Sequence, residues 1–135
     1  DLRVAGVAFH SLQVTHGRDQ ILALPAGAAM IDLGDAIMAA DDPLGASAAL
    51  IAELDLVIVI DSALANLAGA MDCPFWLPTY RVPDWRWRIF PELDPENPVP
   101  SPWYGSARLF TCRERGQWDV VVGEMLAALK DCVGS

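Results

Sequence analysis

Cysteine is scarce in this chain. Cys73, Cys112 and Cys132 are widely spaced, odd in number and without a Cys-x-x-Cys pair. That excludes a disulfide framework or a cysteine-built zinc site and fits three reduced thiols in a cytoplasmic protein. Histidine is scarcer: His10 and His16 have no Asp, Glu or Cys arranged to complete a ligand set, so no metal is expected. The Gly-x-Gly-x-x-Gly and phosphate-loop lysine signatures are both absent. Ser62 has no neighbouring His and no Gly-x-Ser-x-Gly setting, which argues against a serine nucleophile. Asp55, Asp61 and Asp72 interrupt the longest apolar stretches, and no run reaches the roughly 18–20 residues that cross a bilayer. No basic and then apolar leader follows Asp1, so no signal peptide is expected.

Positive charge is also in short supply. Nine basic residues face 18 acidic ones, a net charge of −9, and most of such a surface repels a nucleic-acid backbone. Nucleic acid is therefore not an expected partner. The cations are unevenly placed: Arg3 and Arg18 stand alone in the first 72 residues, and Arg81, Arg86, Arg88, Arg108, Arg113 and Arg115 all come later. An anionic small ligand would draw its cations from the later segment. What the chain has in plenty is apolar surface: 53% of its 135 residues are hydrophobic, enough for the core of one domain.

The pattern alternates strand and helix. Val4–Leu12 reads as a strand with Gly6 as its weak point, Ile21–Leu24 as a short apolar patch, and "MIDLGD" as a brief strand turning at Gly34. Ser47 is placed to cap a helix over Ala48–Leu54. Leu56–Ile60 is the strongest strand and is apolar on both faces, as a buried parallel strand requires. A helix follows Asp61 to about Met71, with Leu64, Leu67 and Ala68 on one face. Pro74–Leu77 and Arg108–Thr111 read as strands, separated by a proline-rich excursion from Pro78 to Pro102. Gln117–Cys132 reads as an amphipathic helix with Trp118, Val121, Val122, Met125, Leu126 and Leu129 as its buried stripe. This order predicts an α/β fold, a Rossmann-like parallel sheet with helices on both faces.

In such sheets ligands bind beyond the carboxyl ends of the strands. Asp61 closes the strongest strand, and small residues follow it: Ser62, Ala63, Ala65, Ala68, Gly69 and Ala70. Amides at the start of that helix, with its dipole, favour a bound anion such as a phosphate, and Asp61 could accept hydrogen bonds from a ribose or sugar hydroxyl. The plainer reading is that Asp61 or Ser62 caps the helix and the alanines pack it. Trp85 and Trp87 fit stacking on a sugar or base, or plugging a core. Arg86 and Arg88 fit a pyrophosphate, or pairing with Asp84 or Glu92.

"DLVIVIDSALANLAGAMDCPFW", then "VPDWRW", then "SPWYGSARLF" resemble the C-terminal end of the glycosyltransferase-like proteins that carry tetratricopeptide repeats. These are related to the ADP-heptose–lipopolysaccharide heptosyltransferases. Residues 55–129 carry most of the resemblance, and "GVAFHSLQ", "IDLGD" and "SAALIAELDLVI" fit more loosely. The resemblance implies the donor-side domain of a GT-B fold that binds a nucleotide or nucleotide-sugar. It implies that Asp61, Ser62 and Ala63 line the donor's phosphate and sugar. Ser11 and Gln13 would lie near its base or ribose, and Arg86 belongs to a tryptophan-rich loop. Asn66 stands where the family usually has His, and an amide cannot carry that side chain's proton or charge near neutral pH.

Relative to that family, the acceptor domain and the first strand of the donor domain are missing from residues 1–135. Catalysis by this chain alone is therefore in doubt, no cofactor is implied beyond a nucleotide-sugar substrate, and a non-catalytic interaction or assembly module is the alternative. The missing strand is the central one of the usual order. Val4–Leu12 and Leu56–Ile60 should then pair directly or be covered by a homodimer or an acceptor-domain partner, because hydrophobic edges do not stay bare.

Overall fold

The structure, a computed structural model, describes residues 4–25, 28–87 and 101–134. They form an α/β arrangement of parallel strands and helices, compatible with a Rossmann-like fold. The chain divides into two compact units, Asp1–Ser47 with Leu126–Ser135, and Ala48–Met125.

In the first unit, β1 (Phe9–Ser11) and β2 (Met30–Asp32) pair in parallel, with Phe9 opposite Met30 and Ser11 opposite Asp32. β1 is shorter than the expected Val4–Leu12, because Gly6 takes a positive φ of 81° and turns the chain before the ladder begins. Of the patch at Ile21–Leu24, residues 21–23 end a 3-10 helix, Arg18–Ala23, and Leu24 is its extended C-cap residue. The turn at Gly34 opens a short helix, α1 (Gly34–Met38), whose first N–H bonds to Asp32 Oδ1 at 3.0 Å.

Helix α2 (Pro43–Ala52) starts before the expected cap at Ser47. Proline suits a first helical turn, and Asp42 supplies the acceptor instead, its Oδ1 taking the Gly45 N–H at 3.0 Å. Ser47 lies inside the helix, and its hydroxyl donates to the Pro43 carbonyl.

The second unit holds a three-stranded parallel sheet, β3 (Val57–Ile58), β4 (Phe75–Tyr80) and β5 (Ala107–Cys112), in that order. Helix α3 (Ala63–Ala70) connects β3 to β4 and packs on β4. Phe75 and Leu77 are fully buried, as are Ala65 and Ala68 of α3, so these two alanines serve helix–sheet packing. Helix α4 (Trp118–Val133) buries Val121, Met125, Ala128 and Leu129 at helical spacing. Val122, expected in that stripe, is exposed, since one residue along a helix turns about 100° off the face.

Of the alternatives expected for the sheet, direct pairing is not seen, and the expected burial of its strongest strand fails. The segments Val4–Leu12 and Leu56–Ile60 do not pair: β1 and β3 belong to separate sheets. Nor is Leu56–Ile60 buried on both faces, as Ile58 and Ile60 are 45% and 69% exposed. The ladder itself explains why β3 is so short. Val59 donates its N–H to the Trp76 carbonyl, so the even-numbered residues of β4 face β3. The next of them is Pro78, which has no N–H to offer, and the pairing stops. Pro78 pairs with Phe110 on the β5 side, where its missing donor is not required.

Candidate functional site

Asp61 and Ser62 occupy the turn between the end of β3 and the start of α3. Ser62 is the N-cap residue in an extended conformation, and its side chain makes no capping hydrogen bond. Asp61 and Ala63 are exposed and Ser62 is partly so, which leaves the turn open to solvent. The first-turn amides of α3 are therefore not satisfied by the serine that normally takes that task.

A cation stands beside this turn. Arg86 Nη2 lies 3.6 Å from Asp61 Oδ1, and its Nε donates to Asp84 Oδ1 at 2.8 Å. Asp84 Oδ1 also accepts the Arg86 backbone N–H at 3.1 Å, so the carboxylate organises its own turn. Of the two roles weighed for Arg86, pairing with Asp84 is realised, while the guanidinium stays within reach of the strand end. Arg88 and Glu92 lie outside the described residues.

The backbone N–H of Arg86 and then its guanidinium hold the Asp84 carboxyl below the ordinary 3.8. A carboxylate with a lowered folded value contributes its full stabilisation above 3.8 and loses it as pH falls through that lowered value. An acid titration followed by side-chain carboxyl NMR shifts should find Asp84 still mostly ionised at pH 3.8, and Arg86→Ala should move its midpoint upward. A wild-type midpoint at or above 3.8 would show that the pair does not persist in solution.

Asn66 sits one turn into α3. Its Nδ2 donates to the Ser62 carbonyl at 2.9 Å, and its Oδ1 accepts the Tyr104 hydroxyl at 3.2 Å. The amide braces the helix start, with one N–H left to aim elsewhere. Tyr104 is a residue that pattern reading missed, because 38 positions separate it from Asn66. Its ring lies against Gly69, where an added β-carbon would come within 2.4 Å of Tyr104 Cγ. Trp87, from the same loop as Arg86, is a core residue 1% exposed, in ring contact with Phe75 and Tyr104. Trp85 is exposed.

Ser11 and Gln13 belong to the first unit, where they line a cavity of about 370 Å³ together with His16, Gln20, Ile21 and Met30. The Gln13 backbone N–H bonds to Ser11 Oγ at 3.3 Å, and its side-chain amide donates to the His16 carbonyl. Gly34 permits this closeness, since a β-carbon there would stand 2.5 Å from the Gln13 carbonyl oxygen. The cavity lining carries no carboxylate, lysine or arginine. Nearby Arg18 is held by Asp32 and Asp35. The lining thus offers hydroxyl, amide and imidazole groups beside apolar ones, a chemistry for a polar group. His10 and His16 join no metal-binding cluster among the described residues, nor is any helix among them long and apolar enough to cross a membrane.

No protein-family profile matches the chain. No solved structure matches it either. The chain is similar to Protein FlbA of Caulobacter vibrioides, 36% identical over 88 residues, which make up 65% of this chain and 13% of FlbA. The chain therefore matches only a small part of that curated relative's length.

Proposed function

We propose that this chain is a glycosyltransferase-like domain that binds a nucleotide or nucleotide-sugar and is catalytically incomplete alone. The observation that carries this reading is the open turn at Asp61–Ser62, with an uncapped helix start and the Arg86 guanidinium 3.6 Å from the Asp61 carboxylate. Amides and guanidinium suit a phosphate, and the carboxylate suits a sugar hydroxyl. The sequence blocks "DLVIVIDSALANLAGA", "VPDWRW" and "SPWYGSARLF" add the resemblance to the donor half of GT-B enzymes. With Asn66 in place of the family's histidine, that side chain cannot carry a proton or a positive charge near neutral pH.

Thermal melts with UDP-, ADP- and GDP-sugars test the reading. A ligand at about 100 times its Kd adds about 2.7 kcal/mol, a rise of roughly 5–15 °C for a domain of this size. Arg86→Ala should remove most of that rise. No shift with any of the three at millimolar concentration favours the alternative, a non-catalytic interaction or assembly module. The exposed Ile58 of β3 and Ile60 just beyond it are the observation on that side, since exposed apolar residues on an edge strand invite a partner, a homodimer included.

A further inference from the structure

Trp85 and Trp103 form an exposed aromatic corner in the second unit. Their ring centroids are 5.8 Å apart with the planes at 77°, and they are 62% and 60% exposed. The corner is held from behind. Ser101, itself buried, donates its hydroxyl to the Arg86 carbonyl at 3.0 Å and accepts the N–H groups of Trp103 and Tyr104 at 3.3 Å each. Asp84 fixes the other strand of the corner through Arg86, and the Trp87 N–H bonds back to the Asp84 carbonyl at 3.0 Å. Two large indoles are thus left in water on a hydrogen-bonded support, which forgoes the gain of burying them. Rigid presentation lowers the ordering cost of binding a guest.

We propose that the Trp85–Trp103 corner binds a neutral pyranose ring of a carbohydrate. Perpendicular indoles leave an open face and an edge, not the parallel jaws that sandwich a planar base. The C–H face of a sugar ring is drawn to the electron-rich face of an indole. The turn that carries Trp85 also carries the Asp84 carboxylate and the Arg86 guanidinium, an acceptor and a donor set of balanced charge for ring hydroxyls. A chain of net charge −9 is repelled overall by a nucleic acid or an anionic lipid surface. The inference involves neither the Asp61–Ser62 turn nor the Ser11–Gln13 cavity and shares only Arg86 with the nucleotide reading, so phosphate-free glycans and the two tryptophan variants test it separately.

The test is a printed array of neutral, phosphate-free glycans probed with the labelled full chain, wild type against Trp85→Ala and Trp103→Ala. Both residues are exposed, so the variants should melt close to wild type. Wild type should retain at least one glycan at about millimolar Kd or tighter, with saturable change in tryptophan fluorescence, and each variant should bind it roughly tenfold or more weakly. The proposal is overturned if wild type retains no glycan above the variants, or if a retained glycan binds both variants as well as wild type. It is equally overturned if sedimentation shows the two tryptophans holding two copies of the chain together.

Discussion

Trp87→Ala is expected to cost about 3–5 kcal/mol, the range for emptying a buried aromatic site. Against a total stability of about 5–15 kcal/mol, that change leaves the chain largely or wholly unfolded near body temperature. Trp87 is the largest fully buried side chain among the described residues. It meets Phe75 edge-on at 6.0 Å and Tyr104 at 5.8 Å, so its removal opens a cavity between β4 and the loop that carries Asp84 and Arg86. One detail separates volume from polarity here. Trp87 Nε1 is buried with no hydrogen-bond partner among the described residues, and an unmet buried donor costs about 1–3 kcal/mol. Trp87→Phe gives up volume but relieves that cost, so it should lie far closer to wild type than Trp87→Ala. Urea unfolding gives the comparison directly: the midpoint should fall steeply for Ala and little for Phe, with the slope unchanged. Equal losses for the two variants would mean that the Trp87 N–H finds a partner in solution.

The sequence exposes some of this architecture and conceals the rest for identifiable reasons. Helix α3 is legible because a capping position precedes apolar residues at helical spacing, and the observed Ala63–Ala70 closely follows the expected span. The parallel pairing is legible from the alternation of elements. The start of α2 is not, because two local signals compete, and proline with Asp42 ahead of it prevails over Ser47. Burial of β3 is misread because periodicity reports that Ile58 and Ile60 are apolar, not whether a neighbouring strand covers them. At the candidate site, Asp61, Ser62 and Arg86 are recognisable from their places in the chain. Tyr104 and Ser101 are not, since their roles depend on contacts across 15 to 38 positions that no local pattern encodes.

The helix brace makes the second prediction, Gly69→Ala. On an isolated helix the change should help, since alanine exceeds glycine in helix propensity by about 1 kcal/mol. Here the added β-carbon would overlap Tyr104 Cγ and Cδ1 at 2.4 and 2.5 Å, atoms close to the backbone that cannot swing aside. The ring must move as a whole, and with it go the hydrogen bond to Asn66 and the contacts with Phe75 and Trp87. Overpacking of this kind costs roughly 1–3 kcal/mol, enough to reverse the propensity gain. Tyr104→Ala supplies the control, because with the ring gone the β-carbon has room. Gly69→Ala should therefore destabilise the wild-type background and stabilise the Tyr104→Ala background by up to about 1 kcal/mol, a change of sign that a double-mutant cycle reads as strong coupling. Additive effects in the two backgrounds would mean that Tyr104 does not lie over Gly69 in solution. The brace on Asn66 at the mouth of the Asp61–Ser62 turn would then have to be abandoned.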